Sequence, residues 1–193
     1  MGFEEKRPKV EKQVIEYLIK RKFKEASLAV ASYEAGQASP RGIGIDWKHY
    51  NPKHQTELLN SIFNDKPKIL SKLEDSKLEP LRLGAAMMEL WGTNMATQWI
   101  PASFETSLPF DNDTAARMLL FYAIHQRTLE GYRGAGLKYV ELFPAPDSCE
   151  ACKKLVGKQY ILTEAPELPY EYCTHKLGCR CVLLPVVEKN KVT

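Results

Sequence analysis

A chain of 193 residues with 44% hydrophobic and 26% charged residues has the make-up of one ordinary globular domain plus a small appendage, which excludes a disordered or fibrous chain. Its net charge is +3, and eight cations against five glutamates within residues 1–26 account for the whole excess. No apolar run reaches the roughly 18–20 residues that cross a bilayer, so no membrane partner is expected.

The N-terminal Met-Gly-Phe-Glu-Glu-Lys-Arg-Pro lacks the apolar core of a signal peptide, and Lys6 breaks the myristoylation pattern. The expected location is therefore cytoplasmic, where thiols stay reduced. Pro8 suits a first helical turn, and Val10, Val14 and Leu18 recur at helical spacing, with Ile15, Tyr17 and Ile19 widening the stripe. This pattern predicts one helix running to about Tyr33, stopped by Gly36. Residues 37–47 read as loop, with Ser39-Pro40-Arg41-Gly42 as its turn. Asn51-Pro52 predicts a capped helix over 52–63. Pro67 and Pro80 punctuate one short helix and open another. The Leu-, Ala-, Met- and Trp-rich stretch Leu81 to Trp99 reads as a buried helix in which Gly84 and Gly92 allow close packing.

After a loop from Pro101 to Pro109, Asp111-Asn112-Asp113-Thr114 marks a strong helix start. That helix is predicted over 113–133, ended by Gly134 and Gly136. Lys138 to Phe143 alternates polar and apolar residues, which predicts a strand. Pro144, Pro146 and Asp147 turn the chain, and Arg180 to Leu184 reads as a closing strand ending at Pro185. The fold class expected is α+β: a mostly α-helical region over 1–110, of unassigned role, then over 111–193 a helix and a Cys-rich β-containing module at about 138–187.

All five cysteines fall after residue 148. An odd, clustered set in a reducing compartment favours a metal over a disulfide framework. Cys149 and Cys152, three apart, can curl around one ion, and the twenty residues before Cys173 match the spacing of zinc ribbons. Zinc takes four ligands in a tetrahedron. Cys149, Cys152 and Cys173 are the first three; Cys179 or Cys181 completes the set and the other sits beside it, with His175 the weaker alternative. A catalytic zinc keeps a position open, and an excess of thiols favours a closed structural ion instead. A redox Cys-x-x-Cys needs a thioredoxin-like context that is missing here. The zinc deaminases need a His-x-Glu that the chain lacks.

Thr114-Ala115-Ala116-Arg117, the run Gly131-Tyr132-Arg133-Gly134-Ala135-Gly136-Leu137-Lys138-Tyr139-Val140, Asp147-Ser148-Cys149-Glu150-Ala151-Cys152, Gly157-Lys158-Gln159-Tyr160, Leu168-Pro169 and Cys179-Arg180-Cys181 follow one another in order. Over residues 114–186 this succession resembles the C-terminal end of phage Mu F-like head-morphogenesis (minor head) proteins. The resemblance implies a helix leading into a strand, then a zinc-bearing Cys-rich closure. It also implies a role beside a phage or prophage head. The family usually carries a His shortly after the Leu-Pro, where this chain has Cys173 with His175 beyond.

The remaining features read more plainly. Gly131, Gly134 and Gly136 close a helix, whereas a phosphate loop opens one. Arg41-Gly42-Ile43-Gly44 is too short to carry a reading. Trp91, Met87, Met88, Met95 and Trp99 form an apolar stripe whose default role is core. The basic stretch 6–24 interleaves its cations with glutamates and reads as a solvated helix face. No nucleophile–base pair, carboxylate dyad or Walker loop stands out, so the reading leans away from an enzyme. The leading expectation is a non-enzymatic zinc-binding protein, with one structural ion, that contacts another protein. One alternative is a nucleic-acid-binding protein using residues 6–24; another is a metal-dependent hydrolase drawing on His125, His175, His49 and nearby acids.

Overall fold

The computed structural model describes residues 6–38, 40–41 and 46–187. The expected loop glycines at 42 and 44, and Ser39 of the expected turn, lie outside the described residues. The fold is α+β. Five main helices precede and buttress a small antiparallel sheet: α1 (Arg7–Ile19), α2 (Phe23–Ala35), α3 (Lys53–Asn64), α4 (Asp75–Trp91) and α5 (Asn112–Gly134). The strands β1 (Tyr139–Phe143), β2 (Gln159–Ile161) and β3 (Val182–Pro185) follow, with a single-turn helix α6 (Glu150–Lys153) between β1 and β2.

The single helix expected from Pro8 to Tyr33 is two. Arg21 takes a left-handed backbone, φ 56°, and among the described residues it is the non-glycine that does so. Its amide donates to Leu18 O at 3.0 Å and the Lys22 amide to Tyr17 O at 2.8 Å, the two bonds of a Schellman closure. A side chain in that conformation costs on the order of 1 kcal/mol. It is offset from far along the chain: the Arg21 guanidinium lies 4.1 Å from the Phe63 ring centroid, and its Nη2 donates to Glu79 at 2.7 Å. The reversal lets α1 bury Val14 and Leu18 against α2, which buries Phe23, Ala26, Val30 and Ala31.

α3 begins where Asn51-Pro52 predicts, with Asn51 Oδ1 accepting from the Lys53 amide at 3.0 Å. The helix expected from Leu81 to Trp99 instead starts at Asp75, carries Pro80 inside it and ends at Trp91. Gly92 is the reason for the stop: its φ of 59° is left-handed and its amide caps Met88 O. Gly84 does permit close packing, since a Cβ there would stand 3.0 Å from Ala96 Cβ. Residues 97–99 form a separate short turn whose Ala96 and Thr97 amides donate to Asp113 Oδ1 at 2.5 and 2.7 Å. Asp113 thus serves a neighbouring segment, while Asp111 caps its own helix by accepting from the Thr114 amide at 2.7 Å.

The 23-residue α5 is the axis of the molecule and packs on α3, α4 and β3. The sheet order is β2-β1-β3, with Val140 opposite Tyr160 and Leu142 opposite Leu183. Val140, Leu142 and Leu183 point inward. One hydrophobic cluster runs from Val14 in α1 through α4 and α5 to Leu183 in β3, and four of the cysteines belong to it.

Candidate metal centre

Two backbone devices deliver the thiols. After β1, residues 144–148 turn the chain so that Cys149 stands at the N-cap of α6 and Cys152 lies within its single turn. The second device is the loop after Tyr170, where the Cys173 amide donates to Tyr170 O at 3.0 Å. That loop closes when the Gly178 amide, φ 70°, donates to His175 O at 2.8 Å, and it releases Cys179 and Cys181 into the extended lead of β3. Gly178 is required where it is: a Cβ would meet Met118 Cε at 2.6 Å and Thr114 Cγ2 at 3.0 Å on α5.

The five expected thiols meet, and they are free cysteines. They form two triads, Cys149–Cys152–Cys173 and Cys152–Cys179–Cys181, with the sulfurs of each within 4.8 Å of one another. Cys152 is common to both. Cys149 Sγ lies 3.8 Å from Cys173 Sγ, and Cys152 Sγ 4.0 Å from Cys179 Sγ. A tetrahedral ion bound by sulfurs at about 2.3 Å has S···S edges of roughly 3.8 Å, so these two edges have the length that a thiolate-bound ion spans. The space between the thiols is about 10 Å³, room for one atom-sized occupant. Cys152, Cys173, Cys179 and Cys181 are buried and Cys149 is partly exposed.

Electrostatics mark the same point. Burial opposes ionisation of Cys149, but the amides of Cys152 and Thr174 and the Thr174 hydroxyl outweigh it and hold the thiol down to about 6. Cys173 is lowered by its contacts with Cys152 and Cys179, against burial and helped by the His175 amide. Cys152, ringed by Cys173, Cys179 and Cys181, is pushed far up.

Around the thiols lies a shell of polar groups. Arg180 pairs with Asp147, which holds that carboxyl below its ordinary range. His175 sits outside both triads: its Nδ1 accepts from the Leu177 amide at 3.1 Å and its Nε2 is 3.3 Å from Asp147 Oδ2. Spacing alone missed Ser148, which is buried with Oγ 3.5 Å from Cys181 Sγ. Only its adjacency to Cys149 could have drawn notice.

The other histidines are scattered. His49 pairs with Asp46 at 2.6 Å on the surface. His125, on α5, reaches the carbonyls of Phe121 and Cys181. Among the described residues, the two thiol triads are the groups of three or more His, Cys, Asp or Glu side chains placed to hold an ion. In the basic stretch, Arg7 is paired with Glu11 and Arg21 with Glu79. Among the described residues, no helix is long and apolar enough to cross a membrane. No protein-family model, curated protein or solved structure matches the chain.

Proposed function

We propose that the protein binds one zinc ion through Cys149, Cys152, Cys173 and Cys179, as a structural centre that gives the C-terminal segment its shape. The observation that supports this reading is the pair of thiol triads sharing Cys152, with edges of 3.8 Å for Cys149–Cys173 and 4.0 Å for Cys152–Cys179 beside a space sized for one ion. Four soft thiolates suit zinc, and a closed set favours structure over catalysis. Cys181 is the thiol left over, turned toward Ser148. Between β1 and β3 the backbone forms one helical turn and a three-residue strand. A segment with so little regular hydrogen bonding gains its order from the ion.

The zinc-shaped surface serves contact with another protein. The resemblance of residues 114–186 to Mu F-like minor head proteins supports a place beside a phage or prophage head. Elemental analysis and native mass spectrometry of untagged protein test the centre. One zinc per chain is expected, lost on Cys→Ser substitution at 149, 152, 173 or 179 and kept in Cys181→Ser. A strong chelator under reducing conditions should raise amide exchange across 144–185 and spare α1–α5. Reduced protein that purifies without metal, with the same exchange protection across 144–185, overturns the reading.

A further inference from the structure

Five sulfurs converge where a tetrahedral ion takes four. Their two triads share Cys152 and differ in access. Cys149, in the first, is the partly exposed thiol, and its neighbour Cys173 is 3.8 Å away. Cys179 and Cys181, in the second, are each 2% exposed and lie under the loop that Gly178 seats on α5. Cys149 thus faces solvent-borne reagents with the buried Cys173 next to it, while a complete inner triad is already assembled behind the pair.

We propose that Cys181 is a reserve metal ligand: a peroxide oxidises Cys149 and Cys173 to a disulfide, and Cys152, Cys179 and Cys181 keep the ion. The inference rests on the zinc reading above. In the first step the Cys149 sulfur attacks a peroxide oxygen; an S–O bond forms, the O–O bond breaks, and the departing oxygen leaves as water or alcohol. Cys173 then attacks the Cys149 sulfur; the S–S bond forms, the S–O bond breaks, and the oxygen leaves as water. Two sulfurs lose two electrons in all and the peroxide gains them. The ion's bonds to Cys149 and Cys173 break as these sulfurs join, and Cys181, 4.8 Å or less from both Cys152 and Cys179, bonds to the ion as the third sulfur of the inner set, its proton passing to solvent. Three thiolates leave one position open, which converts a closed site into an open one.

The test treats zinc-loaded, reduced, full-length protein with one equivalent of hydrogen peroxide, followed by native mass spectrometry and disulfide mapping. Wild type should show a Cys149–Cys173 disulfide with zinc still bound. Cys181→Ser and Cys181→Ala, checked for native circular dichroism, should form the same disulfide and release zinc with it. The inference is overturned if wild type releases zinc as its first disulfide forms, if that disulfide involves Cys179 or Cys181, or if both Cys181 variants retain zinc after oxidation. Absence of zinc before peroxide is added sinks the zinc reading itself, and this inference with it.

Discussion

His125 Nε2 on α5 stands 3.1 Å from the carbonyl oxygen of Cys181, while its Nδ1 stands 2.7 Å from Phe121 O one turn back in its own helix. Carbonyls only accept, and a neutral imidazole has one N–H, so it satisfies one of the two at a time. The side chain therefore ties the thiol segment to α5 through backbone, without touching a sulfur. His125→Ala should cost about 1 kcal/mol in urea unfolding, the worth of one hydrogen bond, with zinc content per chain unchanged. Loss of zinc in this variant would mean that His125 does more than dock the segment.

The reversal at Arg21 gives a sharper comparison of two substitutions. Arg21→Ala keeps the strained left-handed backbone and removes the Phe63 and Glu79 contacts. Arg21→Gly removes the same contacts and relieves the strain. Thermal melts should rank wild type above Gly, and Gly above Ala by about 1 kcal/mol. Equal stability of the two variants would show that the left-handed backbone at this turn carries no strain.

Arg21 also shows what could be read from the sequence and what could not. Asp111 announced its helix because a cap acts within three residues of itself. Asn51-Pro52 marked the start of α3, although Pro52 itself takes the cap position and Asn51 meets the Lys53 amide from one residue before it. The Cys149–Cys152 pair and the later cysteines announced a thiol cluster that could hold a metal ion, because thiol spacing restricts what one ion can reach. The break at Arg21 depends on Phe63 and Glu79, dozens of residues away, so helical periodicity ran straight through it. Gly92 was visible as a glycine, but whether it packs or caps depends on its φ. Likewise, the choice between Cys179 and Cys181 is a question of ångströms around Cys152, which sequence separation does not encode.

Glu34 is 3% exposed and depends on Arg41, whose Nε and backbone amide donate to it at 2.5 and 2.9 Å, while Arg41 Nη2 donates to Leu90 O at 2.9 Å. Removing the guanidinium leaves a buried carboxylate short of its partner, so Arg41→Ala should destabilise by about 3 kcal/mol. Arg41→Lys should recover only part of this, because an ammonium cannot span Glu34 and the Leu90 carbonyl together. Denaturant titration checks both. Full recovery by lysine would reduce the role of Arg41 to charge alone.

Glu89 supplies the pH dependence. Burial pushes its carboxyl above the ordinary range, against the hydrogen bond with Gln55 and the charge of Arg41. The folded state therefore holds this proton to higher pH than the unfolded chain does. As pH rises from the unfolded value near 4.5 through the folded one, stability falls, because the native state binds more protons over that window. Glu89→Gln carries no such proton. Its melting temperature should exceed that of wild type at pH 7, and the difference should shrink toward pH 4. A variant less stable than wild type at neutral pH would show that the ionised carboxylate is favourable where it sits.

Gly178 links the thiol loop to the helix beneath it. Its φ of 70° disfavours any side chain, and a Cβ would press on Met118 Sδ at 2.7 Å and on Thr114 Cγ2 at 3.0 Å. Met118 can swing its terminal methyl aside, but Thr114 is fully buried in the first turn of α5 and has nowhere to move. Gly178→Ala must therefore lift the loop between Cys173 and Cys179 away from α5, on top of a backbone cost of about 1 kcal/mol. Lifting the loop spreads the sulfurs, so the variant should give up zinc to a competing chelator at least tenfold more readily than wild type, a change of about 1.4 kcal/mol. The helical signal in circular dichroism should stay unchanged, because the contacts that a Cβ at 178 would meet fall on two side chains of α5. Pairing Gly178→Ala with Thr114→Ser, which removes the Cγ2 methyl, separates the two causes. If the clash dominates, the double variant regains zinc retention, and if the backbone dominates, it does not.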